Sequence, residues 1–346
     1  MHYMSKAIAL YSGGLDSTLA ILTAMRQGIE VTAVTFLNHF GCDISDRSSC
    51  SKDPFSAALK FGFEVKLCHL ADKFIEIVKN PKYGHGKNMN PCVDCRILML
   101  KEAKHLMTMQ GADFIITGEV LGQRPMSQRR DSFPVIDREA GLKGYVLRPL
   151  SAKLLNSTIA EQSGLVDREQ LLSFGGRSRK PQMALAAEFG LTEYPAPAGG
   201  CLLTDPIYSF RLRELLDHDP SPELKDISLL RFGRHFRCSN QCKIIVGRNE
   251  RENDMLQSFA GSEDPVLWVE GHGSPITLLR GRLKESDLKT AAALCARYCS
   301  GRNLPSLVVT VQVNGMSYEI ETSPAAEDLM EELRIHPGDR RRSHAA

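Results

Sequence analysis

From the first strand-like run to about Leu150, short apolar stretches alternate with segments whose apolar positions recur every three or four residues. Short β-branched runs predict strands at Lys6–Tyr11, Glu30–Phe36, Glu64–Leu70, Asp113–Thr117 and Tyr145–Leu147. The helical period predicts helices at Ser17–Gln27, Pro54–Phe61, Ala71–Val78 and Cys95–Gln110. Strand and helix in alternation predict an α/β fold, a doubly wound, mostly parallel, Rossmann-like sheet covered on both faces. Ligands in such folds bind beyond the carboxyl ends of the strands. The pattern then turns more helical through Ser151–Gly190, and a Pro-, Ala- and Gly-rich loop leads into Cys201.

A boundary is expected near Asp205–Pro206. Beyond it come a helix around Phe210–Asp217, strand-like CKIIVG and PVLWVEG, a helix at Leu283–Tyr298, and SLVVTVQVNGMSYEI. Asn314-Gly315 between alternating apolar runs is a strong hairpin signal. The expected organisation is residues 1–204 as one domain, 205–335 as a smaller α+β domain and 336–346 as a disordered basic tail.

Composition adds limits. Hydrophobic residues at 42% and charged residues at 24% are ordinary for a soluble globular chain of 346 residues. A net charge of +2 does not by itself argue for nucleic acid, so RNA binding would rest on local basic patches. No apolar stretch approaches the roughly 20 residues of a membrane span, and the start lacks a signal-peptide pattern. The expected compartment is the reducing cytoplasm. The ten cysteines are therefore read as core, catalytic or metal-binding residues and not as a disulfide framework.

The stretch that carries chemistry is SGGLDS, Ser12–Ser17, directly after the first strand. Gly13 and Gly14 allow a tight turn that presents backbone N–H groups, and the next helix adds a positive dipole end. Ser12 and Ser17 supply hydroxyls. Asp16 would repel bare phosphate, so it makes sense if Mg²⁺ bridges or if it orients the loop. The lysine of a γ-phosphate-transferring loop is missing. The loop suits pyrophosphate as a leaving group.

SGGLDS resembles the PP-loop of the N-type ATP pyrophosphatases, which cleave ATP to AMP and pyrophosphate while adenylating a substrate. Three further stretches narrow the resemblance. NPCVDC, Asn90–Cys95, is similar to the NPxxxC loop of the tRNA 2-thiouridylases, with Cys92 where an aspartate usually stands. TGEVLGQRPMSQ, Thr117–Gln128, resembles a stretch of the tRNA 4-thiouridine synthases, and GYVLRPLSAK resembles a segment of both families. The resemblance covers about residues 5–205. It implies ATP as substrate, with Ser12, Gly13, Gly14, Asp16 and Ser17 on the triphosphate. It also implies Val34 and Phe36 near the adenine, and Gly118, Glu119 and Gln123 lining the nucleotide or base pocket. The N-terminal RNA-binding module and the persulfide-carrying domain of the 4-thiouridine synthases are not seen, so the sulfur route is expected to differ.

Cys201 resembles the second catalytic cysteine of the 2-thiouridylases. With Cys92 and Cys95 it gives three thiols suited to a [4Fe–4S] cluster with one open iron. The alternative is a Cys95/Cys201 pair using a persulfide and a resolving disulfide. Cys238/Cys242 and Cys295/Cys299 have poor spacing for zinc. The second pair reads more simply as one buried helical face.

Arg124, Arg129, Arg130, Arg148, Lys153, Arg177, Arg179 and Lys180 form basic clusters suited to an RNA backbone. LLRFGRHFR and IIVGRNERENDML resemble the RNA-binding domain at the end of ribosome quality-control factors, which offers Arg231, Arg234, His235, Arg237, Arg248 and Arg251 to phosphates. His39, His85 and Lys87 remain ambiguous. The implied activity is ATP-dependent thiolation of a tRNA uridine. Its partners would be tRNA and a sulfur donor, free sulfide or a cysteine desulfurase; the oligomeric state is open, a homodimer included. The rivals are a PP-loop sulfurtransferase or amidating ligase acting on a small molecule, and an RNA-binding iron–sulfur protein regulated by nucleotide.

Overall fold

A computed structural model describes residues 4–40, 54–195 and 201–339. The chain divides into two units, Met1–Thr204 and Asp205–Ala346.

The first unit is built on strands β1 (Lys6–Leu10), β2 (Glu30–Leu37), β3 (Glu64–His69), β4 (Phe114–Thr117) and β5 (Val146–Leu147). They lie in the order β3-β2-β1-β4-β5, and every pairing is parallel. Helices α1 (Leu15–Met25), α2 (Pro54–Phe61), α3 (Ala71–Lys79), α4 (Cys92–Gln110), α5 (Ser132–Glu139), α6 (Ile159–Gln162) and α7 (Lys180–Glu188) accompany them. Ala7, Ala9, Phe114 and Ile116 pack with Leu19 and Ala20 of α1 and with Leu185 and Ala186 of α7. On the other face α4 lies on β1 and buries Ile97, Leu100 and Ala103. Both faces are covered, which is why the strands read as nearly continuous apolar runs.

Strand order reverses between β1 and β4. The connection from β1 runs toward β2 and that from β4 toward β5, so the switch point, where ligands of such sheets bind, falls at these two outgoing loops.

Several expectations shift. The first helix begins at Leu15, because Gly14 is extended (φ −87°, ψ 163°) and serves as its N-cap. The long helix begins at Cys92, so both cysteines of CVDC belong to it. The stretch 151–190 is less helical than its composition suggested, with only α6 and α7 as α-helices.

The second unit holds a six-stranded antiparallel sheet. Its elements are α8 (Pro206–His218), α9 (Leu224–Leu229), β6 (Arg234–Ser239), β7 (Cys242–Val246), α10 (Glu250–Phe259), β8 (Val266–Val269), β9 (Thr277–Gly281), α11 (Glu285–Tyr298), β10 (Leu307–Val313), β11 (Met316–Thr322) and α12 (Glu327–Leu333). The strand order is β11-β10-β8-β9-β7-β6. Asn314 (φ 51°) and Gly315 (φ 73°) turn β10 into β11, both in the left-handed region that a two-residue hairpin turn requires. Phe236, Leu279, Leu294, Val309 and Val311 fill the core between sheet and α11. The sequence pattern missed β6 and β9. The described chain continues past residue 335 through a 3₁₀ turn at Pro337–Asp339, and the rest of the expected tail, 340–346, lies outside the described residues. Cys42 and Cys50 lie outside them too.

Candidate active site

β1 delivers the chain to Ser12. Gly13 adopts φ 69°, which a side chain would strain. The turn then closes on itself: Ser17 Oγ donates to Gly14 O at 2.9 Å, Ser12 N–H donates to Ser17 Oγ at 3.3 Å, and the two hydroxyls stand 3.2 Å apart. From the end of β4 Gly118 presses against this turn. A Cβ there would stand 2.5 Å from Ser17 Cα and N and 2.7 Å from Asp16 C. Gly118 is thus a close-approach glycine that lets the end of β4 support the start of α1.

The loop after β4 carries the next contacts. Gln123 Nε2 donates to Asp16 Oδ2 at 3.0 Å. Asp16 Oδ1 is buried and finds no hydrogen-bond partner among the described residues. Burial raises Asp16 above the ordinary aspartate range, while Gln123, Arg179, Arg124 and Gln182 each favour its charged form. Gln182, fully buried on α7, stands beside Asp16, yet neither of its amide atoms completes a hydrogen bond. A buried carboxylate oxygen left without a hydrogen bond is a donor that fits a cation such as Mg²⁺.

The basic loops are joined to each other. Leu121 bridges to Gly175, and Gly176 N–H donates to Leu121 O at 2.7 Å. This pairing places the loop of Arg124, Arg129 and Arg130 beside the loop of Arg177, Arg179 and Lys180. Arg179 is half-buried and the other five are exposed. Arg148 departs from the expected RNA contacts. It is 4% exposed, forks onto Asp137 at 2.8 and 3.0 Å, meets Glu119 at 3.0 Å, and stacks its guanidinium over Phe133. An arginine satisfied on both sides in the core cannot also reach a phosphate.

Glu119 belongs to the same network. It is 2% exposed, pairs with Arg96 at 3.1 Å and Arg148 at 3.0 Å, and accepts from Thr117 Oγ1. Burial alone would raise its pKa, but the two arginines hold it below the usual range. Its side chain braces the site from behind instead of lining a nucleotide pocket. The side chains of Val34 and Phe36 are likewise buried in the sheet, which leaves only their backbone to face a ligand.

Cys92 and Cys95 occupy the first turn of α4, a helix of 19 residues. Asp94 between them is buried and accepts from the N–H groups of Lys82 and Tyr83 at 3.1 and 3.0 Å, which pins the preceding loop. That loop in turn holds the Cys201 segment. Met89 N–H donates to Leu203 O at 3.1 Å, and Asn88 Nδ2 donates to Thr204 O at 2.8 Å. From the sheet side, Leu202 N–H donates to Phe40 O at 2.9 Å, and Cys201 Sγ donates to the same oxygen at 3.1 Å. All three thiols are half-buried, and no disulfide joins the described cysteines. Burial raises the Cys92 thiol, opposed by Arg96, Arg124 and Asn90. Three half-buried thiols are donors of the type that an iron–sulfur cluster takes, and Arg96 and Arg124 favour the thiolate of one of them, Cys92.

Arg124 favours the charged form of both Asp16 and Cys92. The phosphate loop and the cysteine site share one end of the sheet. Gln123, expected to line the nucleotide or base pocket, instead donates to Asp16. Asp94, Arg96 and Gln182 were not singled out as chemical groups from sequence; Asp94 lies within NPCVDC, and the other two carry no local signal.

Residues 3–160 match the family model described as thiamine biosynthesis protein (ThiI), and residues 233–334 match the NFACT protein RNA binding domain. The first unit is thus similar to the ThiI family over most of its length, and the second is similar to the NFACT RNA-binding domain. A bifunctional protein NifU/MnmA of Rubrobacter xylanophilus is 32% identical, over 44% of this chain and 32% of its own. A probable tRNA sulfurtransferase of Lysinibacillus sphaericus is 32% identical over 46% and 38%. A tRNA-specific 2-thiouridylase MnmA of Methylobacillus flagellatus is 23% identical over 81% and 79%. The chain thus spans about a third of the first two relatives. No described helix is long and apolar enough to cross a membrane.

Proposed function

We propose that the chain is an ATP-dependent tRNA sulfurtransferase that converts a uridine to a thiouridine. The observation that carries this reading is the SGGLDS turn held against Gly118, with Gln123 donating to Asp16 at 3.0 Å and the cysteines of α4 starting at the same end of the sheet. The ThiI-type domain and the sulfurtransferase names of the relatives support it.

In the first step a uridine carbonyl oxygen attacks the α-phosphorus of ATP. The bond to the β-phosphate breaks, pyrophosphate leaves, and the base is O-adenylated. Ser12–Ser17 hold the triphosphate with backbone N–H groups and hydroxyls. Asp16 is the residue to hold Mg²⁺, and Arg124 and Arg179 supply the positive charge that a P-loop lysine would otherwise give. In the second step a sulfur nucleophile attacks the adenylated carbon and AMP departs with the oxygen. Cys92, Cys95 and Cys201 are the residues that would hold a [4Fe–4S] cluster, which when bound would keep the incoming sulfide at an open iron. The chain's own part is to orient these thiols through Asp94 and the Met89–Leu203 pairing. The joined basic loops and the NFACT-like unit favour tRNA over a small-molecule acceptor.

The test is pyrophosphate release from ATP with bulk tRNA, followed by mass spectrometry of the tRNA nucleosides. The reading expects release that depends on tRNA and new thiouridine. Release that is equal without tRNA would favour a small-molecule acceptor, and no release at all would sink the enzyme reading. Thiolation by colourless, iron-free protein would replace the cluster with the persulfide route.

A further inference from the structure

The hairpin β6–β7 contains a bulge. Arg237 pairs with Lys243, but Ser239 pairs with Cys242, so Cys238 and Ser239 together oppose one residue. A bulge of this kind re-aims a side chain. Arg237 and Lys243 meet Glu214 at 2.6 and 3.7 Å. Cys238 instead turns toward Cys242, and its Sγ donates to the Cys242 carbonyl at 3.3 Å. The first turn of α11 brings Asp287 to the same place. The two sulfurs and a carboxylate oxygen all lie within 4.8 Å of one another, the one such group of three among the described residues.

This arrangement is unusual for a core. Cys242 is fully buried and Asp287 is 4% exposed. Among the described residues Asp287 has no ion pair; its carboxylate accepts the Lys284 N–H at 2.8 Å as the capping contact of α11 and faces the positive end of that helix. Cys295 and Cys299, the second half of the pattern in sequence, do not join the group. Their thiols point to the backbone oxygens of Pro275 and Ala296.

We propose that Cys238, Cys242 and Asp287 bind a divalent cation, Zn²⁺ by the softness of the ligands, and so tie the hairpin to α11. Two thiolates select a borderline-soft ion over Mg²⁺ or Ca²⁺. Binding converts two thiols to thiolates and releases their two protons, so the bound site carries one negative charge. Cys238 is only half-buried, which leaves a fourth position open to water on its side.

The test uses the full chain carrying Cys92→Ser, Cys95→Ser and Cys201→Ser, reduced and stripped with a chelator, then titrated with Co²⁺. The proposal expects one Co²⁺ per chain, with sulfur-to-cobalt charge-transfer and tetrahedral d–d bands that Zn²⁺ displaces. Cys238→Ser and Cys242→Ser should each abolish the charge-transfer band. Asp287→Asn keeps an acceptor for Lys284 N–H, so it should fold normally yet bind roughly tenfold more weakly. Absence of thiolate–cobalt bands in the starting chain would overturn the proposal, as would bands that persist in Cys242→Ser. Equal Co²⁺ affinity in Asp287→Asn would remove the carboxylate from the site.

Discussion

Gly118→Ala is the sharpest perturbation of the phosphate loop that leaves its own residues intact. The new Cβ would stand 2.5 Å from both Cα and N of Ser17, against an ordinary contact that begins at 3.4 Å. The obstacle is backbone, so no rotamer change relieves it, and the start of α1 must retreat by about 1 Å. Overpacking of this kind costs about 1–3 kcal/mol. For a unit of this size each kcal/mol lowers Tm by roughly 2–4 °C, giving a fall of about 2–12 °C. The loss of activity should be larger in proportion, because a displacement of about 1 Å at a reacting centre costs on the order of 100-fold in rate. Thermal unfolding by circular dichroism and tRNA-dependent pyrophosphate release measure the two effects. Gly14→Ala is the comparison for stability: its Cβ meets only Ser12 Oγ, at 3.3 Å, and its backbone is extended. A Gly118→Ala protein with parental Tm and parental turnover would refute the packing argument.

Other outcomes follow from the buried charges. Glu119→Gln leaves half of Arg148 uncompensated in the core and the half-buried Arg96 without its partner, so urea unfolding should show a loss of about 3–5 kcal/mol; an unchanged midpoint would mean that the network is not holding the unit together. Arg124→Ala and Arg179→Ala should each raise the apparent KM for ATP by roughly tenfold, about 1.4 kcal/mol, in the pyrophosphate assay; unchanged values would remove these side chains from the triphosphate. In the second unit burial lowers Lys243 to about 8 from 10.5, with Glu214 partly opposing. Between those values the unfolded chain holds the proton and the folded chain does not, so stability rises as pH rises from about 8 to 10.5. Denaturant unfolding of Lys243→Met should lose this slope and gain stability near neutral pH; a slope that survives the substitution would assign it to another group.

The fold was legible wherever one period ruled a segment. The five parallel strands were buried on both faces and gave continuous apolar runs, and Asn314-Gly315 announced its hairpin directly. β6, with the sequence RHFRCS, was missed for a physical reason. Its arginines serve Gly247 O, Tyr298 and Glu214, and His235 is buried against Phe232 O, so polar residues occupy strand positions that would otherwise read as apolar. The same packing corrects His235 as an RNA contact, since it is 1% exposed. Arg237 is spent on Glu214. The start of α4 was misplaced because proline and a polar CVD triplet mask a helix whose first turn is fixed by Asp94 and its two backbone donors.

The phosphate loop shows where reading along the chain reaches its limit. SGGLDS raises a question of charge: a loop without lysine, holding an aspartate, has to meet a triphosphate. No residue near it in sequence answers that question. The answer comes from the reversal of strand order between β1 and β4, which sets the loop after β4 against the turn after β1 and leaves only glycine at the point of contact. That loop brings Gln123 and Arg124, and its pairing with residues 175 and 176 brings Arg179 and Gln182. Each of these acts on Asp16. The counter-charge is therefore a property of the topology. Moving the cation off the loop also frees it to serve two groups: Arg124 favours the charged form of Asp16 and of Cys92 alike.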